Sequence, residues 1–210
     1  QGQTLTAANT LADADGLGDF EYQWQRSSNG EDWNNIQNAQ SDSYKTGDLD
    51  PGSQVRVAVS YLDGQGTSEQ VISSASSVIE NVNDIPEGTI IITGTLTQGK
   101  TLSADTSGLI DRDGFDGPFS YQWQRSLDDN QFIDIPAANK QTYELTNDDT
   151  GSNVRVKVSY TDLYGTVELV TSSASSAVTN VNDTPTGEIT INGVFREDET
   201  LQVNVDELAD

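Results

Sequence analysis

The sequence contains no cysteine and no histidine among its 210 residues. Without cysteine, neither a disulfide nor a thiolate metal site can form. Without histidine, the commonest general base and the usual zinc ligand are missing. The longest purely aliphatic run, residues 90–92, is far too short to cross a bilayer. We therefore expect no direct insertion into a membrane.

Basic side chains are also scarce, since 10 Lys and Arg face 34 Asp and Glu, for a net charge of −24. Such an acidic surface repels nucleic acid and anionic membranes and suits cations. High charge with low hydropathy can indicate disorder. Here, however, apolar residues alternate along the chain, as at Val55, Val57, Val59 and Tyr61. This alternation predicts folded β-strands.

An internal repeat of about 99 residues organises the chain. Tyr22–Ser27, with the sequence Tyr-Gln-Trp-Gln-Arg-Ser, recurs at Tyr121–Ser126, and Asn81–Asp84 recurs at Asn180–Asp183. A fixed period of this kind indicates tandem modules. Because Gln1 matches Gln98, a position inside the second copy of the repeat, we interpret the chain as part of a longer array. The predicted modules are a repeat lacking its first strand at 1–84, a complete repeat at 85–183, and the first strands of a third repeat at 184–210.

The complete repeat predicts seven short strands separated by turn residues, at about 88–94, 99–106, 119–126, 131–136, 141–146, 153–161 and 165–180. Seven strands in a module of this length are typical of an immunoglobulin-like Greek-key β-sandwich. Trp24 and Trp123 fall at the third strand, where such sandwiches bury a tryptophan, so we assign both to the core. The fold class is therefore all-β, with tandem sandwiches joined by short, stiff Asn-Asp-x-Pro linkers near Pro86 and Pro185.

Catalysis has little chemical basis in this composition. Serine and threonine are abundant, but no histidine is present to activate them. Carboxylate pairs could serve a glycosidase, yet the acidic residues recur in both copies, and a single active site would not need duplication. We predict that the chain is not an enzyme, with no catalytic residues and no organic cofactor.

Calcium is the predicted cofactor, because hard cations bind several carboxylate, amide and backbone oxygens and the carboxylates of this chain cluster by loop. An alternative interpretation also stands, since Asp-x-Asp-Gly is common turn chemistry and Asp149 could simply cap its turn. The candidate metal ligands are Asp13, Asp15, Asp19, Asp48, Asp50, Asp63, Asn83, Asp84, Asp111, Asp113, Asp116, Asp148, Asp149, Asp162, Asn182, Asp183 and Asp210.

Sandwich topology predicts that these loops meet at the linkers. The first strand of a module enters at the end that carries the loop between strands two and three and the last hairpin. The carboxylates expected at the first linker are Asp48, Asp50, Asp84, Asp111, Asp113 and Asp162. Those expected at the second are Asp148, Asp149, Asp183 and Asp210. Without cations they would repel one another, by about 1 kcal/mol per pair at 4 Å even in bulk water.

The motifs resemble those of a known family. Tyr121–Ser126, Val156–Asp162 and Asn180–Gly187 resemble repeats of giant bacterial RTX-type surface adhesins, whose long bodies are stacked immunoglobulin-like or cadherin-like modules. The linker also resembles the cadherin interdomain segment, in which an Asn-Asp pair before Pro supplies calcium ligands. The resemblance implies export to the cell surface, calcium loading outside the cell, and a spacer or adhesive role. By residue, it implies ligands at Asn83, Asp84, Asn182 and Asp183.

The predicted function is a structural extender of an extracellular adhesin or biofilm fibre, stiffened by calcium at the module junctions. Its expected partners are neighbouring repeats of the same chain and other copies in a fibre. One alternative is an adhesive module that binds a glycan or a protein through exposed aromatics such as Trp33, Phe132 and Tyr164. A second alternative is a filament subunit, in which the 184–210 tail donates a strand to the incomplete repeat of another copy.

Overall fold

The structure is a computed structural model that describes residues 1–126 and 131–209. Within these ranges the regular structure consists of short strands and a single 3₁₀ turn, Asn147–Asp149. The chain forms two compact units. Unit 1 comprises Gln1–Glu87, Ile110–Pro118 and Tyr160–Glu168. Unit 2 comprises Gly88–Leu109, Phe119–Ser159 and Leu169–Asp210.

The first copy of the repeat lies in unit 1 and has six strands, β1 (Thr4–Thr6), β2 (Glu21–Ser27), β3 (Asn34–Asn35), β4 (Ser43–Lys45), β5 (Gln54–Leu62) and β6 (Ser68–Ile72). β1 pairs with β4, and a four-stranded sheet has the order β3-β2-β5-β6. The alternating valines of β5 point into a core that also contains Trp24 of β2. The predicted alternation therefore marks the buried face of a central strand.

The second copy has seven strands, β7 (Ile91–Gly94), β8 (Thr101–Asp105), β9 (Asp116–Ser126), β10 (Ile133–Asp134), β11 (Thr142–Glu144), β12 (Asn153–Thr161) and β13 (Val167–Thr171). They form one sheet in the order β11-β8-β7 and another in the order β10-β9-β12-β13. Leu102 of the first sheet shares a core with Trp123 and Val156 of the second. These paired antiparallel sheets confirm the all-β, immunoglobulin-like class.

Both predicted core tryptophans are buried, Trp24 at 4% and Trp123 at 0% exposure. Each indole Nε1 donates to a backbone carbonyl, Trp24 to Ser41 at 3.0 Å and Trp123 to Lys140 at 2.9 Å. A buried indole N–H needs such a partner. Truncating either ring to alanine would cost about 3–5 kcal/mol by the usual measure of large core side chains.

Several strand boundaries differ from the prediction. The strand expected at 88–94 begins only at Ile91, the one expected at 131–136 is reduced to β10, and the one expected at 165–180 ends at Thr171. In the last case the backbone N–H groups of Ser172 and Ser175 still donate to the Val156 and Val154 carbonyls, at 2.9 and 2.8 Å, but side chains make the return bonds. The hydroxyls of Ser172 and Ser175 accept the N–H groups of Val156 and Val154, both at 3.0 Å. Such side-chain bonds compete with sheet pairing and were not visible in the apolar pattern.

The 184–209 segment contributes a separate two-stranded ladder to unit 2. Its strands are β14 (Thr190–Gly193) and β15 (Leu201–Asn204), which pair antiparallel with Thr190 opposite Asn204. Its aliphatic side chains are largely exposed, including Ile189 and Val203 at 63% each.

Candidate functional site

The loop 110–118 in unit 1 contains two buried aspartates. Asp111 is 9% exposed and Asp113 is 3% exposed. Asp111 Oδ1 accepts the backbone N–H of Asp113 at 2.8 Å, and its Oδ2 accepts the hydroxyl of Tyr160 at 2.6 Å. Gly114 completes the turn at a φ of +78°, and a Cβ there would meet Leu163 Cδ1 at 2.6 Å. The turn chemistry predicted for Asp-x-Asp-Gly is thus present, but on the inside of the unit.

The hairpin 160–168, also in unit 1, buries a third aspartate. Asp162 is 1% exposed, and its Oδ1 accepts the backbone N–H groups of Tyr164 and Thr166 at 2.8 and 2.7 Å. Its Oδ2 is buried and has no hydrogen-bond partner among the described residues. A buried polar atom left unsatisfied costs about 1–3 kcal/mol, and more when it is charged. This oxygen therefore calls for a positively charged or protic ligand.

The linker of the first copy docks on these loops within unit 1. The backbone N–H of Asp84 donates to Asp113 Oδ2 at 2.7 Å, and Asn83 Nδ2 donates to Glu168 Oε1 at 2.7 Å. The structure therefore brings Asp84 to the predicted loop, although its backbone makes the contact. Glu168 was not among the predicted residues, because nothing in the hairpin sequence shows which linker side chain faces it.

The charge of this region is strongly unbalanced. The segments 83–87, 110–118 and 160–168 carry seven carboxylates and one basic residue, Arg112. Arg112 contacts Glu87 at 3.4 Å, and both side chains are exposed. Burial and the neighbouring Asp111 carboxylate raise the pKa of Tyr160 above its ordinary value. Among the described residues, however, no three carboxylates stand close enough together to hold a metal ion as they lie.

The first copy has the same loops in more open surroundings. Asp13 Oδ1 accepts the N–H of Asp15 at 2.9 Å, and its Oδ2 accepts the Tyr61 hydroxyl at 2.9 Å. Gln65 Nε2 donates to Asp15 Oδ1 at 2.8 Å. Asp13 and Asp63 are half-buried and Asp15 is exposed. The two copies of the loop set therefore share internal bonds but differ in burial.

Asp50 and Asp149 serve the fold. Asp149 is fully buried and accepts from Arg125 Nη1 at 3.1 Å, the Tyr143 hydroxyl at 2.6 Å and the Thr146 N–H at 2.8 Å. Burial alone would raise the pKa of Asp149, but these hydrogen bonds outweigh it and hold the pKa below its ordinary value. Burial and the bond to Asp149 raise the pKa of Tyr143 to about 12.

Asp50 repeats this arrangement in the first copy. It accepts from Arg26 Nη1 at 3.0 Å, the Tyr44 hydroxyl at 2.7 Å and the Gly47 N–H at 2.7 Å. The oxygens of both aspartates are thus occupied by protein donors, and we leave Asp50 and Asp149 out of the proposed ligand set. The turn-cap interpretation of Asp149 describes its observed bonds.

The remaining predicted residues are dispersed. Asp19 and Asp116 are exposed, next to β2 and at the start of β9. Asp148 lies 3.6 Å from Arg125, and Asn182 Nδ2 donates to the carbonyl of Asp183 at 3.0 Å. Asp210 lies outside the described residues. Besides Glu168, the sequence reasoning missed two glutamines. Gln1 donates to Asp48 Oδ1 at 2.7 Å and to Asp84 Oδ2 at 3.3 Å, and Gln98 donates to Asp183 Oδ2 at 3.3 Å. The repeated Gln-Gly-x-Thr-Leu sequence marks both positions.

The aromatics of the adhesive alternative have mixed surroundings. Arg56 stacks over Trp33 at 4.3 Å from the ring centre, and Arg155 stacks over Phe132 at 4.0 Å. One face of each ring is therefore covered by a guanidinium. Tyr164, at the hairpin tip, is 46% exposed.

No helix among the described residues is long and apolar enough to cross a membrane. A family model described as "Domain of unknown function (DUF8696)" matches residues 2–83 and again 85–183. A similar solved structure is the crystal structure of chicken CNTN1 FN1-FN3 domains, at 13% identity and a TM-score of 0.31, covering 96% of this chain and 70% of that one. A search of curated proteins finds no match.

Proposed function

The chain belongs to this DUF8696 family, and from its tandem sandwiches and buried acidic loops we propose that it is a structural extender whose first linker is fixed by calcium. The observation that carries the proposal is the buried, unpartnered Oδ2 of Asp162. It lies in a unit that also buries Asp111 and Asp113. A divalent cation would satisfy this oxygen and offset the surrounding negative charge.

Calcium suits the donor set better than other common metals. The available ligands are carboxylate, amide and backbone oxygens, which hard cations prefer. Calcium tolerates irregular geometry and completes its shell with carbonyls and water. It therefore does not need a cage of three preformed carboxylates.

The proposal extends to location and biological role. Sites built from few carboxylates have dissociation constants of about 10⁻⁴–10⁻³ M in extracellular modules. They would fill in calcium-rich surroundings outside a cell and remain empty in the cytosol. We therefore propose an extracellular array, part of a bacterial surface adhesin or fibre, in which calcium stiffens the linker at residues 83–87 and the repeats hold a distal domain away from the cell.

Calcium titration of the wild-type chain tests the site directly. We expect a binding heat by calorimetry and a higher unfolding temperature in calcium than in chelator. At a calcium concentration about 100-fold above the dissociation constant, binding stabilises the fold by about 2.7 kcal/mol. Asp162→Asn should lose this stabilisation. The matched change in the first copy, Asp63→Asn, should keep it, because the Asp63 loop is more open.

Two results would count against the proposal in different ways. Equal calcium binding by wild type and Asp162→Asn would show that the buried oxygen is not a ligand. Calcium binding without any change in length or stiffness by small-angle scattering would remove the extender role and leave the ion site standing. A glycan array with the same chain checks the adhesive alternative.

A further inference from the structure

The side chain of Gln1 bridges three parts of unit 1. Its Nε2 donates to Asp48 Oδ1 at 2.7 Å and to Asp84 Oδ2 at 3.3 Å. Its Oε1 accepts the backbone N–H of Val82 at 3.1 Å, and its N-terminal ammonium donates to the Glu80 carbonyl at 3.0 Å. One carboxamide thus accepts a hydrogen bond from the linker backbone through its oxygen and donates one to the linker carboxylate through its nitrogen.

Unit 2 repeats this arrangement at the equivalent glutamine. Gln98 Oε1 accepts the N–H of Val181 at 3.1 Å, and its Nε2 donates to Asp183 Oδ2 at 3.3 Å. Its backbone nitrogen donates to the Thr179 carbonyl at 3.0 Å. The same three bonds recur although the surroundings differ, since Asp148 contacts Arg125 rather than the glutamine. These hydrogen bonds from the glutamine to the linker are therefore a feature of the repeat.

The charge of the side chain that holds the linker aspartate affects how well that aspartate can bind a cation. A lysine or arginine at this position would hold the linker aspartate by an ion pair and cancel the charge that attracts a metal. A neutral amide holds the carboxylate without cancelling its charge. It also donates to only one of the two carboxylate oxygens, at a distance that is long for a hydrogen bond. The other oxygen and the full negative charge stay available to an ion.

We propose that Gln1 is a positioning residue that holds the linker aspartate, Asp84, ready for a divalent cation. The inference rests on the proposed function, since it concerns the same ion. In unit 1 the held residue, Asp84, also donates its backbone N–H to Asp113 at 2.7 Å. Fixing Asp84 therefore fixes the linker against the 110–118 loop, and the Asp113 carbonyl of that loop accepts the N–H of Leu163, the residue after Asp162, at 3.2 Å. Groups that orient metal ligands commonly change metal affinity by about 10–100-fold when removed.

Terbium luminescence tests the inference at a single site. Tb³⁺ replaces Ca²⁺ and is excited through a nearby tyrosine, here Tyr160, whose hydroxyl is bonded to Asp111. The signal that disappears in Asp162→Asn reports the unit 1 site. The variants are Gln1→Leu and its matched control Gln98→Leu, each with one extra residue before Gln1 to prevent cyclisation of its side chain. Calcium competition gives the affinity, and unfolding in chelator gives the stability of each variant.

We expect Gln1→Leu to weaken calcium binding at this site by about 10-fold or more, and Gln98→Leu to leave it unchanged. In chelator, Gln1→Leu should lose somewhat more stability than Gln98→Leu, because it also loses the hydrogen bond to Asp48. Equal calcium affinity in Gln1→Leu and wild type would overturn the positioning role. So would an equal loss of calcium affinity in Gln1→Leu and Gln98→Leu. A wild-type signal that is absent or insensitive to Asp162→Asn would instead refute the ion site itself.

Discussion

The acidic loops of the two copies have the same internal hydrogen bonds and different exposure. Asp13 and Asp111 each accept the N–H of the residue two positions later and the hydroxyl of a β-strand tyrosine. Yet Asp13 is half-buried and Asp111 is buried. The conformation of the loop therefore recurs with the repeat, through one bond within the loop and one from a strand tyrosine, whereas the burial of the loop depends on what packs against it.

The hairpins show the same contrast more sharply. Asp63 and Asp162 each use Oδ1 to accept two backbone N–H groups of their own hairpin. Only the Asp162 hairpin has a linker side chain, Asn83, bonded to its outgoing strand within the described part of unit 1. Docking of the linker thus coincides with a buried oxygen that needs a ligand. The proposed ion site is a property of loop and linker together.

The largest effect is expected where the two copies have equivalent surroundings. Asp50→Ala and Asp149→Ala each remove a buried carboxylate that is bonded to an arginine and a tyrosine. We expect each to lower the free energy of unfolding by roughly 3 kcal/mol or more, measured by denaturant titration in chelator. Asp148→Ala, which removes an exposed neighbour, is the control and should change stability by less than about 1 kcal/mol.

The two substitutions serve as a reference for the acidic loops. Similar losses in the free energy of unfolding would show that the same contacts stabilise both copies equally, so that differences at the acidic loops come from burial. A loss at Asp149 with none at Asp50 would contradict that premise and would indicate that the copies differ in stability throughout.

A smaller and unequal effect is expected for the loop tyrosines. Tyr160→Phe removes the donor to the buried Asp111, and Tyr61→Phe removes the donor to the half-buried Asp13. A hydrogen bond to a charged group contributes about 1.5–3 kcal/mol, and a buried acceptor left unpaired adds to the loss. In chelator we expect about 2 kcal/mol for Tyr160→Phe and under about 1 kcal/mol for Tyr61→Phe. Equal losses of stability by denaturant titration would show that the difference in burial between Asp111 and Asp13 does not affect the strength of these two hydrogen bonds.

Much of the fold followed from local pattern. Alternating valines and the mid-strand tryptophans predict buried strands because side chains alternate across a sheet, and the structure confirms both. The strand ends were wrong where serine hydroxyls replace backbone partners, as at Ser172 and Ser175. Those bonds join residues whose proximity only the folded sheet creates.

The candidate site was less accessible to sequence reasoning. Topology correctly predicted that Asp84 lies by Asp113. It could not separate Asp149, whose oxygens are filled by protein donors, from Asp162, which has one oxygen unfilled. Both are aspartates in turns, and the difference depends on donors distant in sequence. The sequence did not indicate Gln1 for the same reason, because Gln1 and Asp84 are 83 residues apart in the chain.

The smallest expected effect concerns pH and the open hairpin of the first copy. The backbone N–H of Thr67, helped by that of Gln65, holds the pKa of Asp63 below its ordinary value. A carboxyl with a lowered pKa in the folded state stabilises the fold above its unfolded pKa of about 3.9 and loses that contribution as pH falls through the folded pKa. We expect the Asp63 carboxyl to titrate below about 3.9 in an NMR titration.

The stability advantage of wild type over Asp63→Asn should accordingly shrink as the pH falls from about 5 to about 2. It should be small throughout, because the loop stays in contact with solvent and its charge is screened. Asp15→Asn serves as the control, since the side chain of Asp15 is bonded to Gln65 rather than to its own loop backbone. A midpoint for Asp63 at or above 3.9 would mean that the hairpin bonds do not hold the carboxylate in solution. The shared loop conformation of the two copies would then lose its local explanation.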